Sequence, residues 1–303
     1  MIRKALLFAI ALFGSYSILL LLPVSSSLHA SQHQWQDNLI KAQQFIYSGD
    51  PPPHQVIVGS SLSCRLVMDS LPGTYNLSFG GQSIFDGLAI LLQQSRLPET
   101  VLIEMNVALR KENSDFTYAL HNPVLFYPRK WFPALREDRQ PLGVMGSKLN
   151  QVVTHRILER TKTALGLNAM LPANTIGGEL FANSLHIQVQ NYSKEPDKKV
   201  VETSFLHLKA DVDALEKRRV RVVFFEMPVN DTLKNLPEAI TIRSAFYTWF
   251  SPTAYTYIPS PSQSYRTTDG EHLGQEEALR YTLYLQHYLS SGFSKNPQEQ
   301  PHP

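Results

Sequence analysis

The chain has 303 residues, a length that allows two domains or one larger α/β domain with an insertion. Hydrophobic residues make up 43% of it and charged residues 18%, a balance that favours a folded globule over a disordered chain. The formal net charge is +2, from 28 Lys and Arg against 26 Asp and Glu. Because nucleic-acid binding needs a basic field, nucleic acid is not an expected partner. The single cysteine excludes an intramolecular disulfide and zinc sites built on several cysteines.

The first thirty residues have the pattern of a membrane-targeting segment. Arg3 and Lys4 precede an uncharged, mostly apolar run over residues 5–22. The run is longer than a secretory h-region and just reaches the length of a spanning helix, which favours an uncleaved signal anchor over residues 1–30. The positive-inside rule then predicts a single-pass inner-membrane protein whose globular part lies on the periplasmic side. Cleavage after Ala30 is the alternative, and it predicts a protein secreted to the periplasm.

Downstream, short apolar runs alternate with amphipathic helical stretches, which predicts an α/β fold with a mainly parallel sheet. The five predicted strands cover residues 56–59, 75–79, 101–106, 220–226 and 255–258. An apolar stripe over residues 84–92 and regular helical spacing over 201–215 predict helices that cover the sheet. A last helix is predicted over residues 275–289.

More than a hundred residues separate the third and fourth predicted strands, far more than a crossover helix needs. The sequence therefore predicts an insertion at about residues 108–200, with a helix over 147–165 that ends at a glycine. The α/β domain is expected to cover residues 31–290, and a tail rich in Pro, Gln and Ser over 291–303 is expected to be disordered.

An aromatic stretch lies inside this predicted insertion. Residues 125–133 combine four aromatic side chains with Arg129 and Lys130. Packing of the insertion onto the core is one explanation. A surface that faces sugars or lipid headgroups is the other.

A candidate nucleophile follows the first predicted strand. Ser61 stands in the run Gly-Ser-Ser-Leu-Ser at residues 59–63. Ligands bind at the carboxyl ends of strands in an open α/β sheet, so Ser61 is expected at the functional edge. A serine becomes a nucleophile only when a base accepts its proton and a third group orients that base.

The base and its orienting group are found directly before the last predicted helix. Asp269 and His272 lie three residues apart across an Asp-Gly turn. This spacing allows the carboxylate to hold the imidazole tautomer while the ring reaches Ser61. Ser61, His272 and Asp269 are therefore the candidate catalytic residues.

An acyl-transfer site also needs hydrogen-bond donors for the oxyanion that develops. Two candidates follow strand ends. The glycine pair at residues 80–81 follows the second strand and offers an unobstructed N–H before a helix. Asn106 follows the third strand and offers an amide side chain.

In their order along the chain, these segments resemble the sequence blocks of the SGNH, or GDSL, hydrolase superfamily. Residues 59–63 are similar to the block that reads Gly-Asp-Ser-Leu-Ser in the family, and this assigns the nucleophile to Ser61. Asp269 and His272 match the closing Asp-x-x-His block. The resemblance implies a flavodoxin-like three-layer α/β/α sandwich, with the Ser61 amide as one oxyanion donor, and it leaves the insertion unexplained.

The two middle blocks supply the other oxyanion donors in the family. Residues 76–83 are similar to the second block, whose oxyanion glycine falls on Gly81, and Asn106 takes the place of the third-block asparagine. The third block normally reads Gly-x-Asn-Asp, and this chain lacks both the glycine and the acid. Asn113 and Asn230 are therefore kept as substitutes for Asn106.

A further departure lies beside the nucleophile, where Ser60 replaces the usual aspartate and removes a carboxylate. Ser60 and Asn230 are candidate substrate contacts. Glu104 and Glu226 end strands at the same edge, where they either contact substrate or belong to buried networks. The histidines show no metal-binding spacing, so no metal site is predicted.

The resemblance implies a serine esterase or O-acyltransferase that works through an acyl-enzyme and uses no cofactor. By analogy with exported SGNH proteins, the expected substrates are acyl esters, chiefly acetyl, of an envelope or extracellular polysaccharide. Partner proteins of polysaccharide export or acyl transfer are expected to assist. A lipid esterase or thioesterase at the membrane face is the alternative enzyme. A non-catalytic glycan-binding or assembly protein of a polysaccharide export system is the alternative of a different class, favoured by the weakened third block.

Overall fold

The structure is a computed structural model and describes residues 2–21, 34–48, 51–139 and 178–291. The chain divides into two compact units. The N-terminal unit comprises Met1–Gly49 and Ser114–Pro172, and the sheet unit comprises Asp50–Asn113 and Ala173–Pro303. The helix predicted over 147–165 and nearly all of the predicted tail lie outside the described residues.

The described helices are distributed over both units. In chain order they are α1 Ile2–Leu21, α2 Gln34–Tyr47, α3 Ile84–Leu92, α4 Ser114–His121, α5 Pro123–Trp131, α6 Gly178–Tyr192, α7 Lys198–Lys217, α8 Asp231–Lys234, α9 Pro237–Trp249 and α10 Gln275–Ser290. Helices α3, α7 and α10 match the three that the sequence predicts around the sheet. Of the described helices, none combines the length and the apolar character that crossing a membrane requires.

The sheet unit is built on five strands. They are β1 Gln55–Val58, β2 Thr74–Asn76, β3 Thr100–Glu104, β4 Arg221–Phe225 and β5 Thr256–Tyr257. All neighbouring strands are parallel, in the order β2-β1-β3-β4-β5. This is the order of flavodoxin-like doubly wound sheets, in which the chain reverses its direction of winding between β1 and β3. The predicted α/β fold with a parallel sheet of five strands is confirmed.

Helices cover both faces of the sheet, because the central strands are apolar at nearly every position and would otherwise expose one face to water. On one face, Ile57 and Val223 belong to a buried cluster that includes Tyr281 of α10. On the other face, the ring of Phe224 lies 5.2 Å from that of Phe246 in α9. Successive side chains of one strand therefore pack against helices on opposite faces of the sheet. Polar groups lie at the carboxyl edge of the sheet.

The N-terminal unit contains α1, α2, α4 and α5. Two contacts connect α1 to the residues that follow α5. The ring of Phe13 lies 6.0 Å from that of Phe132, and the hydroxyl of Tyr16 donates a hydrogen bond to the carbonyl of Arg139 at 2.6 Å.

Arg129 is buried, and its guanidinium donates to the carbonyl of Ala119 at 3.0 Å. Of the two cations in the predicted aromatic stretch, Arg129 therefore stabilises the unit internally.

Candidate active site

The turn that follows β1 presents Ser61 at the carboxyl edge of the sheet. Strand β1 ends at Val58, and a short 3-10 helix begins at Ser63. The N–H of Cys64 donates to the carbonyl of Ser60 at 3.0 Å, which closes one turn of chain around Ser61. Ser61 is half-buried, and its Oγ lies 2.8 Å from Nε2 of His272. The two side chains are in hydrogen-bond contact although 211 residues separate them in the chain.

The second element of the site is the loop between β5 and α10. Nδ1 of His272 lies 2.7 Å from Oδ2 of Asp269. Oδ1 of the same carboxylate accepts the backbone N–H groups of Glu271 and His272 at 3.1 and 2.8 Å. An aspartate that caps its own turn in this way is held in one rotamer. Because a carboxylate only accepts, Nδ1 carries the hydrogen, and Nε2 of the neutral ring is left to accept from Ser61.

Two features fix the shape of this loop. Gly270 has a φ of +103°, a backbone conformation that residues with a side chain rarely adopt. Its carbonyl accepts the backbone N–H of Asn230 at 2.8 Å, and the carbonyl of His272 accepts the N–H of Thr268 at 2.7 Å. The loop is therefore fixed by one hydrogen bond from Asn230, which follows β4, and by another within the loop itself.

The electrostatics of the pair follow from these contacts. Burial acts to raise the pKa of Asp269, but the hydrogen bonds from His272 and Glu271 outweigh it and lower the pKa to about 2. The side chains of His272 and Asp269 are 19% and 29% exposed, so the ion pair that forms when the ring accepts a proton is only partly screened by water. The carboxylate thus stabilises a protonated imidazole.

Arg65 connects the nucleophile turn to the histidine loop. It lies in the 3-10 helix directly after Ser61, and its guanidinium donates to the carbonyl of Leu273 at 3.0 Å. A longer contact of 3.4 Å reaches the hydroxyl of Thr268. Sequence reasoning missed this residue. The available signal was a single cation one turn after the nucleophile.

Asn106 follows β3, and its side chain contacts the residues that follow β4. Its Nδ2 donates to the carbonyl of Met227 at 2.9 Å, and its Oδ1 accepts the N–H of Met227 at 2.7 Å. This paired contact fixes the amide plane. One of the two N–H groups of Nδ2 is used in it, and the amide carries a second.

The remaining predicted residues take different places. Gly81 is exposed in the turn between β2 and α3, and it has a φ of +72°. Asn230 caps α8, with its side chain accepting the N–H of Thr232 at 3.0 Å. Asn113, proposed as a substitute for Asn106, donates its backbone N–H to Asp86 at 2.8 Å.

Ser60 is fully buried, and its hydroxyl donates to Glu104 at 2.7 Å. This placement argues against a direct contact between Ser60 and substrate. Glu226 holds Arg243 through two hydrogen bonds of 3.0 and 2.7 Å. Glu104 therefore belongs to an internal network, whereas Glu226 pairs with Arg243 at the wall of a cavity.

Within the described ranges, no group of three or more His, Cys, Asp or Glu side chains is arranged to hold a metal ion. Comparison of the chain with protein-family models, with curated proteins and with solved structures gives no match in any of the three.

Proposed function

We propose that the chain is a serine esterase or O-acyltransferase that works through an acyl-enzyme on Ser61. The observation that carries the proposal is the continuous contact from Ser61 Oγ to His272 Nε2 and from His272 Nδ1 to Asp269, at 2.8 and 2.7 Å. This is the geometry that a serine nucleophile requires, with a base in contact and a third group that orients the base. The fold agrees with the proposal, because both loops leave the carboxyl edge of a parallel sheet.

In the acylation step, Ser61 Oγ attacks the ester carbonyl while Nε2 of His272 accepts its proton. The imidazolium that forms is stabilised by Asp269, which remains charged because its pKa is about 2. His272 then donates the proton to the oxygen of the departing alcohol, and the C–O bond of the ester breaks. Water or an acceptor hydroxyl attacks the acyl-enzyme in the second step, with His272 again as the base.

The oxyanion of each tetrahedral intermediate needs donors at the same edge. We assign this role to the backbone N–H groups of Ser61 and Gly81 and to the second N–H of Asn106. The Asn106 assignment is supported by its rigid pairing with Met227, since a donor that is already oriented needs no reorganisation during the reaction. We propose on this basis that the chain is an SGNH-type hydrolase, with an insertion at about residues 108–200 between β3 and β4.

By analogy with the exported SGNH proteins that the chain resembles, we propose a polysaccharide ester as the substrate class. A cavity with a volume of about 260 Å³ lies where β4 continues past Glu226. Its walls expose more apolar than polar surface and also carry charged and amide groups; they include Glu226, Met227, Val229, Lys234, Asn235, Arg243 and Ser260. Charged and amide groups are suited to sugar hydroxyls, and the apolar surface is suited to an acyl chain or to the faces of sugar rings. We propose this cavity as the place where the polysaccharide lies.

The N-terminal unit supports attachment to a membrane. Several apolar side chains of α1 are exposed, among them Leu7 at 66% and Phe8 at 70%. On α5, Val124, Tyr127 and Trp131 form one exposed stripe at spacings of three and four residues, next to exposed Lys130. Trp, Tyr and Lys are typical of the membrane–water interface. We propose that residues 5–22 attach the chain to the inner membrane, with the sheet unit on the periplasmic side.

Hydrolysis of p-nitrophenyl acetate by the full chain tests the proposed function. The parent protein is expected to release p-nitrophenol, and Ser61→Ala is expected to lose the activity. Ser251→Ala is the matched control, because Ser251 is an exposed serine whose hydroxyl lies 2.8 Å from that of Thr253. A folded parent protein that shows no turnover, even with acetylated polysaccharide, would favour the non-catalytic binding or assembly role.

A further inference from the structure

A buried carboxylate lies against the turn that carries Ser61. Glu104 is the last residue of β3, and its side chain is inaccessible to solvent. Its Oε2 accepts the backbone N–H groups of Ser60 and Ser63 at 2.9 and 3.2 Å. The hydroxyl of Ser60 donates to Oε1 at 2.7 Å, and the hydroxyl of Ser63 donates to Oε2. These donors come from residues on both sides of Ser61.

The carboxylate is also packed tightly against the end of β1. A Cβ atom added to Gly59 would lie 2.5 Å from Oε2 of Glu104 and 2.0 Å from Oγ of Ser63. Both distances are far inside van der Waals contact, so only glycine allows the carboxylate to approach this closely. The missing side chain of Gly59 leaves space for the carboxylate of Glu104, and Ser60 and Ser63 supply its hydrogen-bond donors.

The chemistry of the site explains why the carboxylate needs all of these donors. A carboxylate without water is destabilised unless hydrogen bonds replace its hydration. Here neutral N–H and O–H groups of the nucleophile turn replace it. The turn also depends on the carboxylate, because the same hydrogen bonds restrict the movement of the backbone that carries Ser61.

We propose that Glu104 is the positioning residue of the nucleophile, which fixes the turn so that Ser61 Oγ faces His272. The inference rests on the proposed function. It also accounts for the burial of Ser60, whose N–H and hydroxyl both donate to this carboxylate from the neighbouring strand. Glu104 touches no reacting atom, and it acts through Ser60 and Ser63.

Glu104→Gln in the full chain tests the proposal. Glutamine keeps the shape but removes the negative charge, and its NH₂ group replaces one of the two acceptor oxygens that bind Ser60 and Ser63. We expect kcat for p-nitrophenyl acetate to fall about 100-fold with KM changed by less than about threefold, because the interaction affects the reacting geometry and not ground-state binding. Labelling of Ser61 by a fluorophosphonate is expected to slow by a similar factor. Rates are expressed per folded molecule, with the folded fraction taken from circular dichroism.

Two further variants separate positioning from general stability. Ser60→Asp added to Glu104→Gln returns a carboxylate to the turn from the other side, and we expect it to recover at least about tenfold in kcat. Glu277→Gln is the control, since Glu277 is a buried carboxylate in α10 whose partners are Arg266 and Arg280. Its rate per folded molecule is expected to match the parent.

Each outcome separates the positioning role from the proposed function. An active parent with an unchanged rate per folded molecule in Glu104→Gln overturns the positioning role and leaves the proposed function standing. The positioning role is likewise overturned if Ser60→Asp recovers stability but no rate. An inactive, folded parent overturns the proposed function and the inference together.

Discussion

His272 and Asp269 are joined twice, once through the ring and once through the backbone. Nδ1 lies 2.7 Å from Oδ2, and the N–H of His272 donates to Oδ1 at 2.8 Å. One carboxylate therefore fixes the position of the residue and the orientation of its ring. Since Oγ of Ser61 lies 2.8 Å from the other ring nitrogen, the backbone turn at Asp269 determines where the base meets the nucleophile.

Asp269→Asn is expected to abolish most of the activity. An amide at this position can donate to Nδ1, which leaves the hydrogen on Nε2 and removes the acceptor that Ser61 needs. We expect kcat for p-nitrophenyl acetate to fall by about 10³ to 10⁴-fold. Asp213→Asn is the control, because Asp213 pairs with Lys209 within α7, outside the site. A loss below about tenfold in Asp269→Asn would contradict the role of the carboxylate.

The lowered pKa of Asp269 predicts a pH dependence of stability. Its pKa is about 2 in the folded chain, below its ordinary value of 3.8, so folding favours the charged carboxylate. The resulting contribution to the free energy of unfolding is fully present above the ordinary pKa and is lost as the pH falls toward 2. Urea unfolding of parent and Asp269→Asn is expected to show a stability difference at about pH 6 that shrinks toward about pH 2. A difference that stays constant over this range would refute the assignment.

Arg65→Met is expected to loosen the contact between the two loops of the site. Methionine keeps much of the apolar stem but removes the hydrogen bond to the carbonyl of Leu273. We expect a loss of about 1 to 2 kcal/mol in the free energy of unfolding, with a fall of about tenfold in kcat/KM. Chemical denaturation and initial rates measure the two effects. Arg218→Met, which removes a guanidinium bound to the carbonyl of Leu92, provides the comparison, and an equal loss of activity there would argue against a specific role for Arg65.

Gly270→Ala is expected to disturb the histidine loop. Alanine is strained at a φ of +103°, and its Cβ would lie 3.0 Å from Leu185. We expect a loss of about 1 to 3 kcal/mol in the free energy of unfolding, measured by urea titration. Fluorophosphonate labelling should slow as well, because Asp269 and His272 flank this residue. Gly274→Ala is the control, since its φ is ordinary and its added Cβ meets only Thr268 at 3.8 Å.

The cavity beside Glu226, proposed as the polysaccharide site, predicts a selective effect on large substrates. Ser260 lies at its exposed side, so Ser260→Trp places a bulky ring across it. We expect the ratio of kcat/KM for acetylated xylan to that for p-nitrophenyl acetate to fall about tenfold. Ser251→Trp adds the same ring elsewhere on the surface. If both variants change the ratio equally, the cavity is not the polysaccharide site.

The strands and the three contacting side chains could be predicted because their signals are local. Apolar runs such as 56–58 and 101–103 indicate buried parallel strands, and the residues after them must lie at one edge. The strand order then brings the loop with Ser61 and the loop with Asp269 and His272 to the same edge of the sheet. The spacing of three residues across an Asp-Gly turn was sufficient to place the carboxylate beside the ring.

The supporting contacts could not be predicted, because they depend on register and rotamers. Asn106 pairs with the backbone of Met227 only because β3 and β4 are adjacent in a particular register. Glu104 did carry a signal, since a carboxylate that ends a strand buried at every position must find internal donors. Its partners at Ser60 and Ser63 became visible only from the side-chain positions.

The most direct test of the acyl-enzyme mechanism is the site of covalent modification. The full chain is treated with a fluorophosphonate, and the adduct is located by peptide mass spectrometry in the parent and in Ser61→Ala. We predict one adduct in the parent, on Ser61, and none in the variant. An adduct on another serine, or a parent that releases p-nitrophenol while Ser61 stays unmodified, would contradict the mechanism.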